Sequence, residues 1–141
     1  MKKIYLAGGF FDPEQIEVAE HIEQICRDRN LPFFSPRLEC FCPPDATPEQ
    51  RRKTFQMNIE NIESAAFVFA RIDDFDSGTM WELGYAFRSR IKCYAYTVFE
   101  DRGLNLMLAE SGMKLVQGWE RIEKFLSGDS SVADIWNKEI I

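Results

Sequence analysis

A chain of 141 residues is long enough for one compact domain and too short for two ordinary ones. Its content of 45% hydrophobic and 28% charged residues excludes a disordered tail or a collagen-like fibre, and no stretch reaches the ~18 apolar residues of a spanning helix. Seventeen Lys and Arg against 23 Asp and Glu give a net charge of -6, which repels a phosphate backbone, so neither nucleic acid nor a membrane is an expected partner.

Lys2-Lys3 and the apolar residues after them imitate the start of a signal peptide. Asp12-Pro13-Glu14 interrupts where the hydrophobic region would continue, so the expected location is the cytoplasm. Lys3 to Ala7, closed by Gly8-Gly9, reads as a first strand. Asp12 as N-cap and Pro13 at the first helical position open a helix with Ile16, Val18, Ala19, Ile22, Ile25 and Cys26 on its apolar face. Leu31 to Ser35 is a short second strand, and Pro36 to Ala46, rich in proline, is read as a loop. Thr47-Pro48-Glu49-Gln50 has capping-box spacing and starts a helix that runs to about Glu63.

Ala65 to Ile72 is nearly all apolar, as a central parallel strand buried on both faces should be. Asp73 to Gly78 leads into a helix over roughly Thr79 to Ser89. Lys92 to Val98 is a fourth strand, Lys114 to Gln117 a fifth, and one or two helices finish the chain. Alternating strand and helix predicts one domain over residues 1–141, an open parallel sheet with helices on both faces. Such sheets bind ligands beyond the carboxyl ends of strands where the strand order reverses, which directs attention to Gly8 to Asp12, Asp73 to Glu82 and Phe99 onward.

The cysteines give no metal or disulfide framework. Cys40 and Cys42 are paired in sequence but lack further ligands at zinc spacing, and the single histidine, His21, is not placed to help. Cys26 and Cys93 read as small core residues, and Cys40 and Cys42 as free loop thiols.

Two segments carry chemistry. Gly8-Gly9 lets backbone approach a ligand, although no G-x-G-x-x-G fingerprint is present, and Phe10-Phe11 suits stacking on a flat ring. Asp76-Ser77-Gly78-Thr79-Met80-Trp81-Glu82-Leu83-Gly84 sets one carboxylate in a loop and another in the first turns of a helix, whose dipole is expected to keep Glu82 ionised. A desolvated carboxylate beside a second carboxyl is the equipment of glycosyl transfer. Read alone, the pair is a helix N-cap and an acid placed for the dipole.

The same segment resembles the signature of the nucleoside 2-deoxyribosyltransferase family, an Asp-x-Gly-x-x-x-Glu-x-Gly pattern after the third strand. Ile4-Tyr5-Leu6-Ala7-Gly8-Gly9-Phe10-Phe11 resembles the family's first strand and base-contacting loop, and Asn105-Leu106-Met107 its element after the fourth strand. The resemblance implies a flavodoxin-like three-layer α/β sandwich with a parallel sheet of about five strands. It also implies exchange of nucleobases on 2'-deoxynucleosides, without cofactor or metal. By it Glu82 is the nucleophile, Tyr5 positions that carboxylate, and Asp76 lies near the sugar and leaving base. Gly8, Gly9, Phe10, Asn58 and Gly78 fall to substrate binding. Asn105 and Met107 reach the sugar from a neighbouring subunit of a homo-oligomer.

Asn58, eighteen positions before Asp76, departs from the pattern, because some members carry an aspartate there as proton donor to the base. An amide can hydrogen-bond a base edge but cannot protonate it by ionising. Two other readings stay open. One is a 2'-deoxynucleoside 5'-monophosphate N-glycosidase, with Ser77 and Ser111 as candidate phosphate ligands; the other is a non-enzymatic nucleotide-sensing domain.

Overall fold

The computed structural model describes residues 1–136 and 138–141. The elements run β1 (Ile4–Ala7), α1 (Pro13–Asp28), β2 (Phe33–Phe34), α2 (Pro36–Glu39), α3 (Pro48–Glu63), β3 (Phe67–Arg71), α4 (Ser77–Arg88), β4 (Cys93–Thr97), α5 (Leu106–Glu110), β5 (Lys114–Gln117), α6 (Gly118–Leu126), a 3-10 turn (Ser130–Val132) and β6 (Asp134–Ile135). Strand order is β2-β1-β3-β4-β5-β6, with the first five parallel and β6 antiparallel to β5. The first five form the expected flavodoxin-like sheet. The sixth was not foreseen, because two residues are too few to show a period in sequence.

Alternation along the strands divides the core into two layers. Tyr5, Val68, Ala70, Ala95 and Leu115 face α3 and α4, packing with Ile62, Leu83 and Ala86. Ile4, Phe69, Tyr94, Tyr96 and Val116 face α1 and α6, packing with Ile22, Ile25, Ile122 and Phe125. Cys26 is fully buried, as expected, and Cys93 lies at the edge of the first layer. The strand order reverses at β1 and β3, so their carboxyl ends diverge into a crevice on the α3 and α4 side.

Local signals set the ends of the elements. Asp12 caps α1 by accepting from the Gln15 amide at 2.8 Å, and Thr47 and Gln50 form the full capping box of α3. Ser35 precedes Pro36 at the start of α2, a four-residue helix inside the segment expected to be loop. Helix α4 begins at Ser77, two residues earlier than expected, because Asp76 Oδ2 accepts from the Thr79 amide at 2.9 Å and from its hydroxyl at 2.8 Å.

Candidate active site

Two adjacent loops are locked together beneath the crevice. Gln15, buried on α1, accepts from the Phe11 amide through Oε1 at 2.8 Å and donates from Nε2 to Asp74 Oδ2 at 3.0 Å. The loop after β1 is thereby tied to the loop after β3. Arg71 lies under both: its guanidinium forks onto Glu14 at 2.9 and 2.7 Å and donates to Asp73 at 2.9 Å. Asp73 also accepts from the Thr97 hydroxyl and from the Val98 amide at 3.1 Å, which joins β4 to the same support. These bonds hold the Arg71 pKa above its ordinary value despite burial.

Above this support is a cavity of about 430 Å³. Gly8, Phe10 and Phe11 line one side, and Phe55, Asn58 and Trp81 line it from α3 and α4. Phe10 stacks on Phe11 with ring centroids 5.0 Å apart, while Phe55 meets Trp81 edge-on at 5.4 Å. Asp76, Gly78 and Glu82 line it from the start of α4, and Cys40 and Cys42 from the segment after α2. This is a slot with aromatic walls and a carboxylate pair, suited to a flat ring carrying a polar substituent.

Tyr5 is fully buried on β1, stacks on Phe34 at 5.5 Å, and donates its hydroxyl to Glu82 Oε2. Burial and the neighbouring carboxylate push the Tyr5 pKa far above its ordinary value, so the group remains a donor. Glu82 is pushed up to about 7, first by desolvation and then by the charge of Asp76, while the bond from Tyr5 pulls it down. This corrects the expectation that the helix dipole holds Glu82 fully ionised. With α4 beginning at Ser77, Glu82 is the sixth helical residue, and the dipole fades within the first turn.

Most of the residues singled out in the sequence therefore meet at one place: Tyr5, Gly8, Phe10, Asn58, Asp76, Gly78 and Glu82. Gly9 does not line the cavity. It is buried against Gln15, and a Cβ there would stand 2.8 Å from Gln15 Nε2. Asn105 and Met107 lie apart from Glu82 within one chain. Asn105 accepts from the Met107 amide at 2.9 Å, capping α5, and both residues line a second cavity of about 510 Å³ with Phe75, Met80 and Phe87. Ser111 belongs to that second cavity and donates to the Leu108 carbonyl at 2.6 Å.

Cys40 and Cys42 are free thiols outside the helices and strands, as expected, and Cys40 also lines the cavity and donates from Sγ to Asn58 Oδ1 at 2.9 Å. Phe55 and Trp81 at the cavity wall and Gln15 between the two loops are functional positions that the sequence pattern does not mark. No periodicity marks such residues, because each acts through a partner distant in sequence. Among the described residues no group of three or more His, Cys, Asp or Glu side chains is placed to hold a metal ion, and no helix is long and apolar enough to cross a membrane.

The parallel sheet sets a carboxylate pair and an aromatic slot at its switch point. The chain belongs to the nucleoside 2-deoxyribosyltransferase family, whose sequence profile matches residues 4–116. A 2-deoxyribosyltransferase from the psychrotolerant bacterium Bacillus psychrosaccharolyticus is 28% identical, with a TM-score of 0.81 over 95% of this chain and 98% of that one. Two further structures share the fold at 21% identity and a TM-score of 0.57. One is a conserved protein of Enterococcus faecalis V583 (79% of this chain, 74% of that one), the other a Leishmania mexicana 2-desoxiribosyltransferase (80% and 74%). No curated protein matches the chain significantly.

Proposed function

We propose that this protein moves the 2-deoxyribosyl group from one nucleobase to another through a covalent glycosyl-enzyme on Glu82. The observation that carries the reading is the Tyr5 hydroxyl donating to Glu82 at the wall of the aromatic cavity. A buried hydroxyl that stays protonated fixes one carboxylate oxygen and leaves the other free to attack.

The ionised Glu82 carboxylate bonds to C1' as the bond from C1' to the base nitrogen breaks through an oxocarbenium-like state. The departing base takes a proton from a water that the Asp76 carboxylate holds. A second base enters the slot, its nitrogen attacks C1', the ester to Glu82 breaks, and the proton returns. Two inversions leave the sugar configuration unchanged. A deoxy sugar suits this path, because an electron-withdrawing 2'-hydroxyl opposes positive charge at C1'. Gly8, Phe10 and Gly78 border the base and sugar, and Gly9 holds the loop from behind.

The sugar end of the pocket is completed across a homo-oligomer interface by Asn105 and Met107 of a neighbouring copy, a reading supported by their lining a cavity other than that of Glu82 within one chain. Hydrolysis of a deoxynucleoside monophosphate is the competing reading, with Ser77 at the start of α4 and Ser111, which lines the second cavity beside Asn105, as its candidate phosphate ligands. The test incubates a 2'-deoxynucleoside, or its 5'-monophosphate, with and without a second base, and follows products by chromatography. A new nucleoside formed only with the acceptor base, and lost in Glu82→Ala, is the expected result. Cleavage confined to the monophosphate overturns the reading in favour of the hydrolase, and a ligand retained unchanged favours a sensing domain.

A further inference from the structure

Asn58 and Cys40 share one wall of the cavity, and their contact has a direction. The Cys40 thiol donates to Asn58 Oδ1 at 2.9 Å, so the amide oxygen is occupied. Among the described residues Asn58 Nδ2 donates to nothing, and both of its N–H groups are left for a ligand. Burial pushes the Cys40 thiol up to about 11, which keeps the sulfur protonated and donating at neutral pH.

The backbone that carries Cys40 is itself fixed. Its amide donates to the Pro36 carbonyl at 3.0 Å, closing α2. That helix is pinned to α1 through Glu23, which is almost wholly buried and accepts from Arg37 at 2.9 and 2.5 Å and from the Ser35 hydroxyl at 2.7 Å. The thiol is therefore held in position from α1, not left to follow a loose loop.

We propose that Cys40 orients the Asn58 amide so that its NH2 group, and not its oxygen, meets the base, selecting rings that present an acceptor (a ring nitrogen or a carbonyl oxygen) at that edge. Asn58 is then the specificity-determining residue and Cys40 its positioning residue. The inference rests on the part of the reading given above that places a base in this cavity. An aspartate at position 58 would offer acceptors alone when ionised and would select the opposite edge. The amide cannot give up a proton, so it supports a departing base only by a neutral hydrogen bond, worth roughly three- to tenfold in affinity.

The test measures binding of adenine and of its 1-deaza, 3-deaza and 7-deaza analogues by calorimetry. Each analogue replaces one ring acceptor with C–H. The wild type should bind adenine about three- to tenfold more tightly than one of the three. Asn58→Ala and Cys40→Ala should bring that ratio to about one, while Cys40→Ser, which keeps a donor, should retain most of it. A purely structural role for Cys40 would weaken all four ligands alike and leave the ratio intact. Should Cys40→Ala fail to fold, Asn58→Asp, which keeps an acceptor for the thiol but loses the NH2 group, must also abolish the preference at pH 8. A preference that survives in Asn58→Ala, or a wild type that shows none or does not bind adenine, overturns the inference. Base exchange without the preference sinks this inference alone, whereas the preference without exchange sinks the transferase reading and leaves this one standing.

Discussion

The hydroxyl of Tyr5, buried in β1, donates to Oε2 of Glu82 on α4, joining residues 77 positions apart across the crevice where the strand order reverses. Desolvation and Asp76 raise the Glu82 pKa, and this bond opposes them, with the balance at about 7. In the proposed mechanism Glu82 attacks in its ionised form, so the pair would set the pH at which the site works.

Base exchange should rise with pH through about 7 as Glu82 ionises. In Tyr5→Phe the lowering influence is lost, so the inflection should move upward, and activity at pH 7 should fall by about tenfold, the worth of one charge-assisted hydrogen bond. Rates across a pH series for both proteins check this. An inflection at the same pH in both would mean that Tyr5 has no hold on the carboxyl group.

The same carboxylate costs stability when ionised. Its folded pKa of about 7 lies above the ordinary 4.5, so the folded state binds more protons between those values, and wild-type stability falls as pH rises through that window. Glu82→Gln carries no such dependence. It should melt above the wild type at pH 8, by at most about 3 kcal/mol of stability, and the advantage should shrink toward pH 5. Thermal melts at the two pH values decide it, and an advantage that grows on acidification would reverse the sign.

Much of this was legible in the sequence, for physical reasons that differ by element. The sheet was legible because Ala65 to Ile72 and the capping signals at Asp12 and Thr47 act locally. The carboxylate pair was legible because Asp76 and Glu82 lie six residues apart on one structural unit, whose start at Ser77 depends on Asp76 itself. What escaped was long-range. The Cys40 thiol finds Asn58 through the packing of α2 on α1, and Arg71 gathers Glu14 and Asp73 from separate elements. The apolar strip Leu104 to Leu108 also divides in a way no pattern indicated, with Leu104 fully buried in its own core and Met107 74% exposed.

Gly9 offers a direct probe of the loop lock. An alanine Cβ would stand 2.8 Å from Gln15 Nε2 and 3.0 Å from Cδ and Oε1, so the buried amide that holds Phe11 and Asp74 would have to move. Gly9→Ala should lose about 1–3 kcal/mol of stability through overpacking and weakened hydrogen bonds. KM should rise as the Phe10-Phe11 wall loosens. Unchanged melting and KM together would mean that Gln15 yields without consequence.

The last prediction concerns a site shared between copies. Asn105 and Met107 border the second cavity, away from Glu82, and the surface around them exposes Phe75, Phe87, Leu106 and Met107. The sheet is already covered by helices on both faces, so this apolar surface has no partner within its own chain among the described residues. A symmetric oligomer would bury such a patch reciprocally and bring each Asn105 toward the neighbouring cavity. Glu82→Ala and Asn105→Ala subunits, each impaired alone, should then regain activity when mixed and allowed to exchange. In a mixed dimer one of the two sites keeps both wild-type residues, so recovery should approach about half of the wild-type activity per mixed dimer. Sedimentation should find an oligomer at assay concentration. No recovery after verified subunit exchange, or full activity from a monomer, would place Asn105 outside the site.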